Sequence, residues 1–294
     1  PNPAADGFVV TDSVSPEGTA ALYGLSMLHT LFNLINTLLL VWFTKLIAKA
    51  VCFIIRTPHN QEKEVFKLKY ISAGPLATPE LSVEQAFNEI IHFAQISKNG
   101  TAYAKEAINE ADTDVFETLR EKLVKYEEIS DRIEYEIATF LNGVSAEEIS
   151  ESTSRKVKAM YKIVGELESL GDSGETISRI LSRKNIHKKK FDSEAIKDLN
   201  IMADAVLEAY DVMIANLTAA HKGELENITN AYNAEDRLNT LRNNFRDAVI
   251  EDIENGAGNY QTMVYYMDIM NTYERMGDFM INISQDLERA FVNR

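Results

Sequence analysis

Two five-residue stretches carry the arrangement best suited to chemistry: Glu168-Ser169-Leu170-Gly171-Asp172 and Glu274-Arg275-Met276-Gly277-Asp278. In a helix, each places two carboxylates at i and i+4 on one face, where like charges cost a few tenths of a kcal/mol unless a cation lies between them. The Gly inside each adds a loss of up to about 1 kcal/mol in helix propensity. It would also let a partner backbone or a hydrated ion come close. Both costs recur at matching places, which points to a site rather than to a solvated face.

The bare spacing carries little weight. With 45 acidic residues in 294, chance alone gives roughly seven acid pairs at i,i+4, and charge runs ordinarily face solvent. Repetition carries more. Glu127-Glu128-Ile129-Ser130-Asp131 precedes Glu168 by almost the same length of chain as Glu235-Asp236-Arg237-Leu238-Asn239 precedes Glu274. From Glu127 to Glu235 is nearly the same step along the chain as from Glu168 to Glu274, a close to constant offset that marks an internal duplication.

In an up-down-up three-helix bundle the second and third helices are antiparallel neighbours, so each pair of motifs can face one another. The candidate metal ligands are Glu127, Asp131, Glu168 and Asp172 in the first half and Glu235, Asn239, Glu274 and Asp278 in the second. All-oxygen sets suit hard cations, Mg²⁺, Mn²⁺, Ca²⁺ or ferric iron, and the lack of nearby Cys or His argues against zinc. The alternative is an acidic bundle surface held by ion pairs to Arg132, Arg237 or Arg275.

These motifs need helices to position them. Six Pro in 294 residues, few alternating apolar runs and long stretches rich in Ala, Glu, Lys, Leu and Ile give an all-α class. The spacing predicts helices over 79–109, 112–142, 146–183, 192–222, 225–254 and 259–292. Thr78 with Pro79 opens the first, Asn142-Gly143 closes the second, Ser145 with Glu148 forms a capping box for the third, and Asn255-Gly256 breaks before the last. The basic run Arg183 to Lys190 reads as a hinge between a three-helix bundle at 79–184 and another at 185–294.

The formal charge of −15 excludes a nucleic-acid partner, which requires basic stripes. Cys52 is the single cysteine, so no internal disulfide forms. No phosphate loop, nucleophile elbow or zinc signature is present, and no enzyme activity is expected. Glu89 and His92 have the spacing of a di-iron carboxylate ligand pair, but such a site needs a second copy.

Ahead of the helices, residues 1–20 carry Asp6, Asp12 and Glu17 and no Lys or Arg, and read as an exposed loop. Residues 21 to 43 then run without a charge, long enough to cross a bilayer core. Tyr23 and Trp42 would stand about 29 Å apart along that helix, as interfacial anchors do. Lys45, Lys49, Arg56, Lys63, Lys67 and Lys69 follow it, which places the C-terminal side, beyond about residue 56, in the cytoplasm. The expected organisation is a membrane helix over 21–56, a linker over 57–78 and the two bundles. His29, Asn33 and Asn36 form one polar stripe within the span and would face other membrane helices. Pro1 and the absence of a signal pattern read as the start of a fragment.

The run Ala21 to Phe43, above all Met27-Leu28-His29-Thr30-Leu31-Phe32-Asn33, resembles the H-T-x-F-N segment that closes a transmembrane repeat in bacterial sodium/phosphate cotransporters. The stretch from Phe66 to Ile71 and on through Leu76 to Ser82 is similar to that family's junction, while its glutamine-serine substrate motifs are absent. The resemblance implies the C-terminal part of a transporter of the cytoplasmic membrane, with sodium and phosphate handled by membrane segments outside this sequence.

From about residue 80 onward the chain resembles the PhoU family, two similar three-helix bundles bearing E/D-x-x-x-D motifs that can hold metal clusters. Its E-R-I-G-D followed by N-I is similar to Glu274 to Asp278 with Asn282-Ile283. Ser169, Thr176 and Asn239 depart from that pattern. This resemblance implies phosphate-linked regulation, with a homodimer among the partners. The runner-up reading is a membrane-anchored, metal-binding regulator of phosphate signalling with no transport half. A receptor-like helical sensor is set aside because sustained heptads are missing.

Overall fold

The computed structural model describes residues 23–39, 68–71, 78–256 and 259–292. They belong to two separate compact units, Pro1–Val65 and Phe66–Arg294. In the first, residues 23–39 form helix α1. Its large apolar side chains are open all round the helix, from 49% exposed at Ile35 to 74% at Tyr23. His29, Asn33 and Asn36 are exposed too. Among the described residues no helix is long and apolar enough to cross a membrane. The expected loop at 1–20, the remainder of the expected span at 21–22 and 40–56, and most of the linker lie outside the described residues.

The second unit holds α2 (Pro79–Asn109), α3 (Thr113–Ser145), α4 (Glu151–Ile186), α5 (Ser193–Lys222), α6 (Thr229–Glu254) and α7 (Tyr260–Phe291). Short polar side chains start most of them by accepting orphan backbone N–H groups. Asp112 caps α3 through Asp114 N–H and Val115 N–H, at 2.9 and 3.1 Å. Asp192 caps α5 through Ala195 N–H at 2.8 Å, and Asn259 caps α7 through Gln261 N–H at 3.1 Å. Gly223, at φ +74°, ends α5 in the left-handed conformation that glycine adopts freely.

Some boundaries differ from the expected ones. Helix α3 passes through Asn142-Gly143 to Ser145, because Phe140, Leu141 and Val144 continue its apolar stripe into the core and hold that turn in place. The expected capping box at Ser145 and Glu148 does not start α4. Ser150 does, with its Oγ accepting Thr153 N–H at 3.1 Å. Thr78 is the N-cap of α2 but its side chain makes no capping bond; its carbonyl instead accepts Ser82 N–H at 3.2 Å. Helix α4 continues through Ile186, so the basic run begins in its last turn, where cations complement the partial negative charge of a helix C-terminus.

Helices α2, α3 and α4 pack together, as do α5, α6 and α7, while α2 against α5 and α4 against α7 join the halves. One continuous apolar core spans both. Along α2 and α5, Lys98 pairs with Asp211, Lys105 with Asp204, and Asn109 with Asn200, so the two helices run antiparallel. Between them the buried Tyr210 hydroxyl meets Ser97 Oγ at 2.8 Å and accepts from Thr101 Oγ1 at 3.2 Å.

The motif glycines serve helix contact. A Cβ on Gly171 would stand 2.7 Å from Ser130 Cβ and closer still to its Oγ, and one on Gly277 would stand 2.8 Å from Leu238 Cδ1. Ser130 and Leu238 hold the same place in their respective motifs, the fourth residue of each. The same close approach of neighbouring helices therefore recurs in both halves. Gly171→Ala is expected to destabilise by up to about 2 kcal/mol in urea unfolding, because overpacking costs roughly 1–3 kcal/mol and alanine returns about 1 kcal/mol of propensity. Gly277→Ala should cost less, since the obstructing atom is the movable end of a leucine.

Candidate metal centre

Antiparallel packing of α3 and α4 brings two of the four motifs together. Glu127 and Asp131, one turn apart on α3, and Asp172 on α4 each offer an oxygen lying within 4.8 Å of the others. Among the described residues no other set of three such ligands converges. Asp172 Oδ1 is buried and has no hydrogen-bond donor, an arrangement that costs free energy unless a cation meets it. Glu168 lies outside the converging set but couples to it electrostatically.

The titration of these groups records the crowding. Burial, then Asp172 and Glu134, push the Glu168 carboxyl up from 4.5 to about 7, with Ser169 opposing. Burial and the Asp131 and Asp172 carboxylates raise Glu127, and burial followed by Asp131 raises Asp172. Glu134 is raised by burial and by the same two aspartates. Six carboxylates, Glu127, Asp131, Glu134, Glu168, Asp172 and Glu175, thus share one region, and among the described residues the guanidinium that reaches it is Arg179, 2.7 Å from Glu175.

A raised folded pKa means that the folded chain binds the extra proton more tightly than the unfolded one. Stability from Glu168 is therefore present at the acidic end of the window from 4.5 to about 7 and declines as pH rises through it. The cation-free chain should melt higher at the acidic end of that window than above it. Glu168→Gln should flatten the difference, as read by calorimetry across pH.

The corresponding place in the second half is built differently. Asn239 Nδ2 donates to Glu235 Oε1, and Arg242 Nη2 donates to Glu274 Oε1 at 2.7 Å. Burial, then Glu274 and Glu235, raise the Asp278 carboxyl, opposed by Arg242 and Arg275. The arginines expected to hold the acids bind elsewhere. Arg132 pairs with Glu136, Arg237 with Glu208, and Arg275 lies over the Phe279 ring. Arg242, which lies outside the motifs, pairs with a motif acid, Glu274. Its place opposite Glu134 in the repeat was available as a signal, but lay outside the five-residue motifs.

Glu89 and His92 also have a different use. Glu89 is fully buried, with His92 Nδ1 at 2.9 Å from one oxygen and Tyr70 N–H donating to the other at 2.6 Å. The pair fastens the segment at 68–71 to α2, and among the described residues no second acid-histidine pair joins it.

No protein-family model matches this sequence, and no curated protein matches it. Solved structures do. The phosphate transport system regulatory protein PhoU from Streptococcus pneumoniae superposes with a TM-score of 0.60 at 16% identity, over 74% of this chain and 100% of that one. PhoU from Pseudomonas aeruginosa does so with a TM-score of 0.56 at 15% identity, over 72% of this chain and 98% of that one. The fold is PhoU-like. At such identity the likeness concerns backbone architecture, and the acid positions above rest on this chain's own geometry.

Proposed function

We propose that this chain is a cation-responsive regulatory domain of phosphate transport, carried by its N-terminal apolar helix at a bacterial cytoplasmic membrane. In its finer form the reading is the C-terminal part of a sodium-dependent inorganic phosphate transporter, with the bundles in the cytoplasm and sodium and phosphate handled by membrane segments outside this sequence. The observation that carries it is the convergence of Glu127, Asp131 and Asp172 within 4.8 Å on a PhoU-like bundle. The exposed Leu25, Leu28, Leu31, Phe32 and Leu38 of α1 support the membrane attachment.

Glu127, Asp131 and Asp172, with Glu168 beside them, would hold Mg²⁺, Mn²⁺, Ca²⁺ or ferric iron; once bound, the ion supplies positive charge that offsets their mutual repulsion. The acids approach from two helices, so the ion would favour arrangements in which α3 and α4 stay together. Elemental analysis of the full chain after manganese loading and gel filtration tests this reading. Retained metal is expected, and none retained would overturn it. Sodium-dependent phosphate uptake by the whole protein separates a transporter domain from an anchored regulator with no transport half.

A further inference from the structure

We infer that Arg242 takes the place of a bound cation in the second bundle, so that inorganic cations are held in the first bundle alone. The statement about the first bundle rests on the reading above; the statement about Arg242 stands independently. The register between the halves is fixed by packing as well as by numbering, because Gly171 meets Ser130 as Gly277 meets Leu238. In that register Glu127 corresponds to Glu235, Asp131 to Asn239, Glu134 to Arg242, Glu168 to Glu274, Asp172 to Asp278 and Glu175 to Ile281.

Three of the six positions are exchanged, and all three exchanges act in one direction. A carboxylate becomes an amide at Asn239, a guanidinium at Arg242, and an apolar side chain at Ile281, which packs with Ile228 and Ala231. Six formal negative charges in the first bundle become three in the second, with one positive charge among them.

The geometry uses those exchanges. Arg242 reaches from α6 to Glu274 on α7 at 2.7 Å, and both side chains are largely enclosed, 23% and 18% exposed. Its Nε is buried without an acceptor, so the head group is held for its charge toward the acids and not by a complete hydrogen-bond set. Asn239 turns its donor toward Glu235, a direction in which it cannot also offer a lone pair to a metal. A cation entering here would have to expel a guanidinium paired with Glu274, and Glu235 already accepts from Asn239. In the first bundle Arg179 reaches the edge acid Glu175, and Asp172 Oδ1 stays unpartnered.

The test compares the full chain with Asn239→Asp/Arg242→Glu, which rebuilds the first bundle's pattern at two of the exchanged positions. Manganese content and manganese-induced melting shift are read on both. The unaltered chain is expected to hold one site's complement and the double variant about twice that amount. Unaltered chain with two complements, or a folded double variant that gains none, overturns the inference while leaving metal binding by the first bundle intact. An unaltered chain that binds none, beside a variant that gains one complement, overturns the proposed cation role of the first bundle and keeps the inference. If the double variant fails to fold, Arg242→Gln decides without any metal: its cation-free melting temperature is expected to fall by several degrees. Unchanged melting of Arg242→Gln overturns the inference.

Discussion

Saturating Mn²⁺ is expected to raise the melting temperature of the full chain by roughly 5–10 °C, and the variant Glu127→Gln/Asp131→Asn/Asp172→Asn is expected to lose that response. A ligand at a hundred times its dissociation constant that binds only the folded state contributes about 2.7 kcal/mol. For a unit of this size each kcal/mol moves the melting temperature by about 2–4 °C. The three substituted side chains keep their shape and lose their charge, so packing of α3 on α4 should survive. Because burial and mutual repulsion push the Glu127 and Asp172 carboxyls up, these ionised groups oppose folding when no cation is present. The neutralised variant should therefore melt above the cation-free parent while responding to manganese not at all. A manganese response preserved in the variant, measured by scanning fluorimetry against a chelated control, would sink the assignment of these three ligands.

His92→Ala is expected to be the most damaging single substitution near the segment at 68–71, lowering stability by about 1–3 kcal/mol, or roughly 2–12 °C in melting temperature. It leaves the Glu89 carboxylate, fully buried, with Tyr70 N–H as its remaining donor. Leaving a buried acceptor short of a donor costs about 1–3 kcal/mol, and water can replace His92 only where that side chain, 28% exposed, opens to solvent. Glu89→Met should behave differently, because the partners it leaves, His92 at 28% and Tyr70 at 38% exposed, can turn to water, whereas a stranded Glu89 cannot. It would keep the bundle within about 1 kcal/mol of the parent yet take the acceptor from Tyr70 N–H. Limited proteolysis near residue 70 should then accelerate in Glu89→Met without a matching fall in melting temperature. Equal stability of His92→Ala and the parent would show that the pair contributes nothing to the fold.

Local residue patterns and long-range packing carry two kinds of information. Period and capping residues place helices well: α2 begins and ends where the pattern puts it, α5 deviates by a residue at its start and α7 by a residue at each end. Helix α3 runs past Asn142-Gly143 because Asn-Gly is only a local signal, whereas Val144 just beyond it is buried and holds the helix by long-range packing. The basic run resembled a hinge by composition. In the structure its first four residues are helical, and the two halves share a core through α2 on α5 and α4 on α7.

The motifs divide in the same way. The sequence by itself determined the class of the fold, the duplication and which eight positions to inspect, since helix period and repeat offset are properties of the order of residues alone. Only tertiary structure decided that Glu127, Asp131 and Asp172 converge, that Glu168 is coupled to them, and that Arg242 pairs with Glu274 in the other half. Convergence depends on how far α3 and α4 slide and how closely they approach, which Gly171 sets by meeting Ser130 from the neighbouring helix. No local pattern encodes that distance, because it is fixed by side chains meeting from separate helices.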